Sequence, residues 1–133
     1  MVSKRWTTSN KCVYNIGYHL IWCTKYRKSL LGTEEESLFR QLALEKVKEL
    51  DVIICSMEVM VDHVHLFVKC TPSTSPHWVV QQLKGHTSRE LRKEFKHLNT
   101  RVPSLWTRSY YCESVGHISE GSVRKYIENQ KNV

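Results

Sequence analysis

The stretch VMVDHVHLFVKC, residues 59–70, decides the fold. Side chains alternate across a β-strand, so Val64, Leu66 and Val68 share one face and His63, His65 and Phe67 the other. The aliphatic face fits a core beneath helices. The histidine face then points the opposite way, where the fold has no obvious cover. Two imidazoles at i and i+2 stand about 7 Å apart along a strand, a spacing that can converge on one small cation. The plainer alternative is a half-exposed strand whose two histidines hold nothing.

Working outward, a tight turn at Val61-Asp62 joins this strand to a preceding one over residues 52–60. Upstream, CVYNIGYHLIWC (12–23) is rich in aromatic and β-branched residues and reads as a strand, followed by a basic exit loop, TKYRK (24–28). A helix over 33–50 starts at Thr33, which can cap it with Glu36 as the reciprocal partner of a capping box, and it gathers Phe39, Leu42, Ala43, Val47 and Leu50 on one face. Ser75-Pro76 is a second helix start, a capping serine before a proline at the first helical position, and that helix runs to about Phe95. The pattern then breaks into loop until a strand over 109–115, and a short helix over 122–130 follows Gly116 and Gly121. The order β-α-β-β-α-β predicts an α+β fold: a ferredoxin-like antiparallel sheet with helices on one face, plus an extra C-terminal helix, in one domain over 1–133.

Composition narrows the partners. Lys and Arg outnumber Asp and Glu by 20 to 13, a balance that suits polyanions, because neutralising phosphates releases counterions. Mild basicity without any binding role is the alternative. No apolar run of about 18 residues is present, so no membrane helix is expected. The N-terminal MVSKRWTTSN lacks the apolar centre of a secretion signal, and a cytoplasmic protein is expected. The five cysteines include no Cys-x-x-Cys pair, which leaves a zinc ribbon or a disulfide framework unsupported and reduced, core-filling thiols as the simplest reading.

In VRKYIENQ (123–130), helical spacing puts Tyr126 and Gln130 on one face. A phenol can attack phosphorus if the phosphate is activated. An amide oxygen is an acceptable hard ligand for magnesium or manganese. The alternative for the pair is a core aromatic and a solvated amide.

Taken together, MEVMVDHVHLFV, the upstream YHLIWCTKYR and the downstream YIENQ resemble the single-tyrosine transposases of the HUH superfamily, the small TnpA-type enzymes of bacterial and archaeal insertion sequences. The likeness spans nearly the whole chain, in order. It implies a ferredoxin-like fold whose C-terminal helix carries the nucleophilic tyrosine. Carried over by position, Tyr126 is the nucleophile, His63 and His65 are metal ligands, and Gln130 is the third ligand of Mg2+ or Mn2+. Asp62 would face away on a regular strand, which ranks it behind the ligands at most. The implied reaction cleaves and rejoins single-stranded DNA at hairpin-marked element ends through a 5′-phosphotyrosine. The implied assembly is a homodimer with active sites completed in trans, acting at the nucleoid of a prokaryote.

The Ser75 helix divides Val80, Leu83, Thr87, Leu91 and Phe95 from a basic side of Arg89, Arg92, Lys93 and Lys96, with Gly85 among them. These four, with Lys84 and with Lys25, Arg27 and Lys28 of the exit loop, are the DNA-binding candidates, and an ordinary solvated helix face is the alternative. Tyr26 and Trp106 are candidates for stacking on unpaired bases, with burial as the default for aromatics. Three rivals stay open: a hairpin-binding protein whose catalysis has lapsed, a palindrome-nicking host enzyme, and a metal-dependent hydrolase that uses water.

Overall fold

The structure is a computed structural model and describes residues 7–8 and 13–115; the expected helix over 122–130, with Tyr126 and Gln130, and the glycines at 116 and 121 lie outside them. Two short strands, β1 (Thr7–Thr8) and β2 (Val13–Tyr14), pair antiparallel. The main chain of elements is β3 (Gly17–Cys23), α1 (Thr33–Leu50), β4 (Ile53–Val59), β5 (His63–Lys69), α2 (Pro76–Glu94), the one-turn α3 (His97–Thr100) and β6 (Tyr111–Val115). Four strands form one antiparallel sheet in the order β4-β5-β3-β6. This is the expected ferredoxin-like arrangement. The run 12–23, expected as one strand, is broken between β2 and β3 at Asn15-Ile16.

Val64, Leu66 and Val68 are fully buried, as are Leu20 and Trp22 of β3. Each such aliphatic side chain contributes about 1.5–3 kcal/mol on burial. A one-residue slip of β5 would put imidazoles in their place, so the core itself fixes the register. Against this face α1 lays Phe39, Ala43 and Val47, and α2 lays Val79, Val80, Leu83 and Leu91. Trp22, Phe39 and Trp106 meet edge to face, with centroids 5.8–6.4 Å apart. Trp106 is therefore core, its indole N–H donating to Thr87 Oγ1 at 3.1 Å, and stacking on DNA is closed to it.

The helix starts differ. Ser75 Oγ accepts from the Trp78 N–H at 3.3 Å, with Pro76 behind it, as the sequence predicts. At α1 the cap is Gly32, not Thr33, and no side chain caps it. Glu36, the expected capping partner, instead accepts from Arg40 Nε at 3.0 Å. Three glutamates in the first turn, Glu34 to Glu36, still favour that end through the helix dipole. Among the described residues no helix is long and apolar enough to cross a membrane.

Candidate active site

The sheet register gathers the site on the face away from the core. Glu58 of β4, His65 of β5, Ile21 of β3 and Tyr111 of β6 stand in one row across the strands. In the next row Phe67, His19 and Glu113 align, and on the other side His63 stands opposite Cys23. The rings of His63 and His65 lie 4.8 Å apart, tilted by 41°. His19 meets His65 edge-on at 5.7 Å. On the face expected to lack cover, His19 and His65 are nonetheless buried, at 1% and 2% exposure, whereas Tyr111 is exposed. His63 sits nearer the surface.

Carboxylates turn toward both strand histidines. His63 Nδ1–H donates to Asp62 Oδ1 at 2.7 Å, and the other Asp62 oxygen accepts from Arg27 Nη2 at 3.3 Å. Glu58 Oε1 lies 3.6 Å from His65 Nδ1. Asp62 thus does not face away. It sits in the two-residue turn closed by the Met60 N–H on the His63 carbonyl at 2.8 Å, where strand alternation no longer applies. Burial works to raise the Asp62 carboxyl, but the hydrogen bond and charge of His63 and the Arg27 guanidinium outweigh it and hold the group below the usual carboxylate range. Burial pushes the His19 imidazole down, against the pull of Glu113, which favours its neutral form.

These features fit a divalent ion. A metal-ligating histidine commonly gives its other ring nitrogen to a carboxylate, which fixes the tautomer and the ring orientation. His63 has that partner in Asp62 and His65 faces Glu58, so Nε2 of His63 is the ring nitrogen that could meet an ion. Among the described residues no group of three His, Cys, Asp or Glu is placed to hold a metal. His63 and His65 are described and Gln130, the third ligand that the resemblance assigns, lies outside the described residues.

The exit loop is strained. Lys25–Arg27 forms a 3-10 turn in which Tyr26 and Arg27 take φ of 58° and 53°. Left-handed backbone costs an L-residue on the order of 1 kcal/mol. Hydrogen bonds hold it: Thr24 Oγ1 donates to the Lys28 carbonyl at 2.7 Å, the Thr24 N–H to Asp62 O at 3.0 Å and the Lys25 N–H to Leu105 O at 2.8 Å.

On α2 the basic side divides. Arg89 and Lys93 are exposed, loosely beside Glu90 at 3.7 Å, Lys96 is exposed, and Gly85 faces open space. Lys84 and Arg92, expected on phosphates, are engaged within the protein. Lys84 Nζ donates to the carbonyls of Thr107 and Ser109 at 2.6 and 3.2 Å, and burial pushes its amine down. Arg92 donates to Asn99 Oδ1 at 2.9 Å and to the Pro103 carbonyl at 3.1 Å. Lys25 and Lys28 flank Tyr26, and Arg27 is tied to Asp62.

Residues 12–130 match the family described as "Transposase IS200 like". The chain belongs to the IS200-like transposase family. It is 33% identical over 120 residues to the ISDra2 transposase TnpA of Deinococcus radiodurans, covering 89% of this chain and 86% of that protein. It is 26% identical over 119 residues to the transposase of insertion sequence IS200 from Salmonella typhimurium, covering 88% and 78%. A crystal structure of a Deinococcus radiodurans chain assigned as a transposase superposes with a TM-score of 0.78 at 32% identity, covering 93% of this chain and 97% of that one. A REP-associated tyrosine transposase bound to a REP hairpin shares the fold, with a TM-score of 0.61 at 12% identity over 84% and 61% of the two chains. An IS200-like transposase cleaves DNA and transfers its strands.

Sequence reading missed His19 and Glu58. Neither has a motif of its own, and both join the site only through the β3–β5 and β4–β5 registers. Strand parity could have found them once the sheet order was fixed.

Proposed function

We propose that this transposase cleaves and rejoins single-stranded DNA at hairpin-marked element ends, with Tyr126 as nucleophile and with His63, His65 and Gln130 holding Mg2+ or Mn2+. The observation that supports it best is the pair of imidazoles backed by Asp62 and Glu58, in a chain of this family. Bound there, the ion would supply Lewis-acid polarisation of the scissile phosphate. The protein's own groups do the rest. Asp62 holds the proton on His63 Nδ1 and so points the lone pair of Nε2 outward. The buried rings of His19 and His65 keep bulk water from one side of the site. Tyr126 gives up its phenolic proton, attacks phosphorus and forms the 5′-phosphotyrosine bond, while the bond to the 3′-oxygen breaks and that oxygen takes up a proton. The new ester keeps the free energy of the old one, so a different 3′-hydroxyl can reverse the step and join new ends without ATP.

Arg89, Lys93 and Lys96, with Lys25 and Lys28, are the phosphate contacts in this reading, and two copies of the chain form the working enzyme. The test is incubation with the element's single-stranded end and a divalent ion, then denaturing electrophoresis. A protein–DNA adduct that wild type forms and Tyr126→Phe does not is the expected result. Repeated turnover without any adduct would replace this reading with that of a water-using hydrolase.

A further inference from the structure

Tyr26 is the most exposed large hydrophobic residue among those described, at 67%. An aromatic ring normally finds cover, and a tyrosine normally avoids the left-handed backbone that Tyr26 adopts at φ 58°. Strained conformations of this kind persist where the surroundings over-determine them, and they cluster at functional sites. Here hydrogen bonds supply that constraint. Thr24 bonds to Lys28 and Asp62, Lys25 bonds to Leu105, and the Arg27 N–H donates to the Thr24 carbonyl at 2.9 Å. Hydrogen bonds pin the turn on both sides, and what it displays is one phenol ring.

The ring's neighbours give the chemistry of what it takes. Lys25 Nζ lies 5.2 Å from the ring centroid, a cation–π contact. Lys28 is exposed two residues on. The next residue in the chain, Arg27, bonds Asp62, which bonds His63, so the turn that carries the ring is linked to the histidine pair. An exposed aromatic among cations is the ordinary platform for an unpaired base with its phosphate, since every base has a π-face and stacking needs no sequence.

We propose that Tyr26 seats one unpaired base of the DNA strand that enters the histidine site, stacking on it while Lys25 and Lys28 take the flanking phosphates. This rests on the function proposed above and adds to it how the strand is held in phase. Arg27 and Asp62 tie the seat to His63, so a base held at Tyr26 fixes which phosphate lies at the histidines.

The experiment uses the hairpin at the end of the element encoding the chain, with its unpaired flank and as the stem alone. Affinities are measured for wild type, Tyr26→Phe, Tyr26→Ala and Tyr26→Gly. Loss of one stacked base weakens binding about 5- to 150-fold. That loss is expected in the Ala and Gly variants for the flanked hairpin only, with Phe close to wild type. Glycine adopts the turn without strain, so a loss shared by Ala and Gly is not a failure to fold. A 2-aminopurine moved along the flank should be quenched at one position by wild type and Phe, and at none by Ala or Gly. Ala and Gly variants that bind the flanked hairpin like wild type, or that lose flanked hairpin and stem equally, would overturn the seat. Adduct formation is run alongside. An adduct in wild type with no effect at Tyr26 overturns only the seat, whereas no adduct overturns the proposed function and the seat with it.

Discussion

Asp62 serves two partners at once, accepting from His63 Nδ1 with one oxygen and from Arg27 with the other. Replacing it with asparagine keeps the shape but removes the charge that holds the imidazole's tautomer. Changes to such outer partners of a metal ligand commonly cost about 10- to 100-fold in metal affinity or activity. Asp62→Asn should therefore raise the metal concentration needed for half-maximal adduct formation by that factor, with hairpin binding retained. An unchanged metal titration would remove Asp62 from the site. A second residue gives a pH prediction. Burial, with a smaller effect of Cys112, pushes the Cys70 thiol up to about 11. Unfolded, it titrates near an ordinary ~8.5. Across that window the folded thiol keeps its proton while the unfolded one loses it, so its contribution to stability is complete below the unfolded value and is lost as pH rises. Urea midpoints measured from pH 8 to 10 should fall more for wild type than for Cys70→Ala. Equal falls would show that the thiol is not so buried.

At the scale of elements, α2 separates structure from recognition within one basic side. Arg92 bonds α3 and the Pro103 carbonyl, whereas Arg89 is exposed with only loose partners. Arg92→Ala should lower stability by on the order of 1 kcal/mol, seen in the urea midpoint. Arg89→Ala should leave stability alone and reduce the slope of log affinity against log salt by about one unit or slightly less, equally for matched and scrambled hairpins. If Arg89→Ala spares the scrambled stem and weakens only the matched one, α2 reads sequence instead of charge. The division between the two arginines was not legible in the sequence, because Asn99 and Pro103 meet Arg92 only once α3 folds back. The elements themselves were legible: Ser75-Pro76 sets the start of α2 locally, and strict alternation sets β5. Thr33 failed as a cap although its pattern matched, since Gly32 takes the cap position one residue earlier. A Cβ at Gly32 would meet only the movable carboxylate end of Glu35, at 2.9 Å, so the cap position does not itself demand glycine. Alternation also placed His63 and His65 correctly but misplaced Asp62, which belongs to the turn.

For the whole molecule, the central claim is that the histidine face and Tyr126 form one nucleophilic centre across a pair of chains. Mixing two inactive variants tests the pairing. Tyr126→Phe keeps the histidines and His63→Ala keeps the tyrosine, so a heterodimer with sites completed in trans holds one intact site and regains cleavage. Sites completed in cis would leave the mixture inactive. Tyr111 stands in the same sheet row as His65, and its hydroxyl donates to Glu113 Oε1 at 2.7 Å, which makes it a described rival as nucleophile. The most direct measurement is therefore the covalent adduct itself: wild type, Tyr126→Phe and Tyr111→Phe incubated with the single-stranded element end, each with divalent ion and with excess chelator, and resolved under denaturing conditions. The proposed function predicts an adduct in wild type and Tyr111→Phe that requires the ion, and none in Tyr126→Phe. An adduct that survives Tyr126→Phe, or that forms fully in chelator, would contradict it.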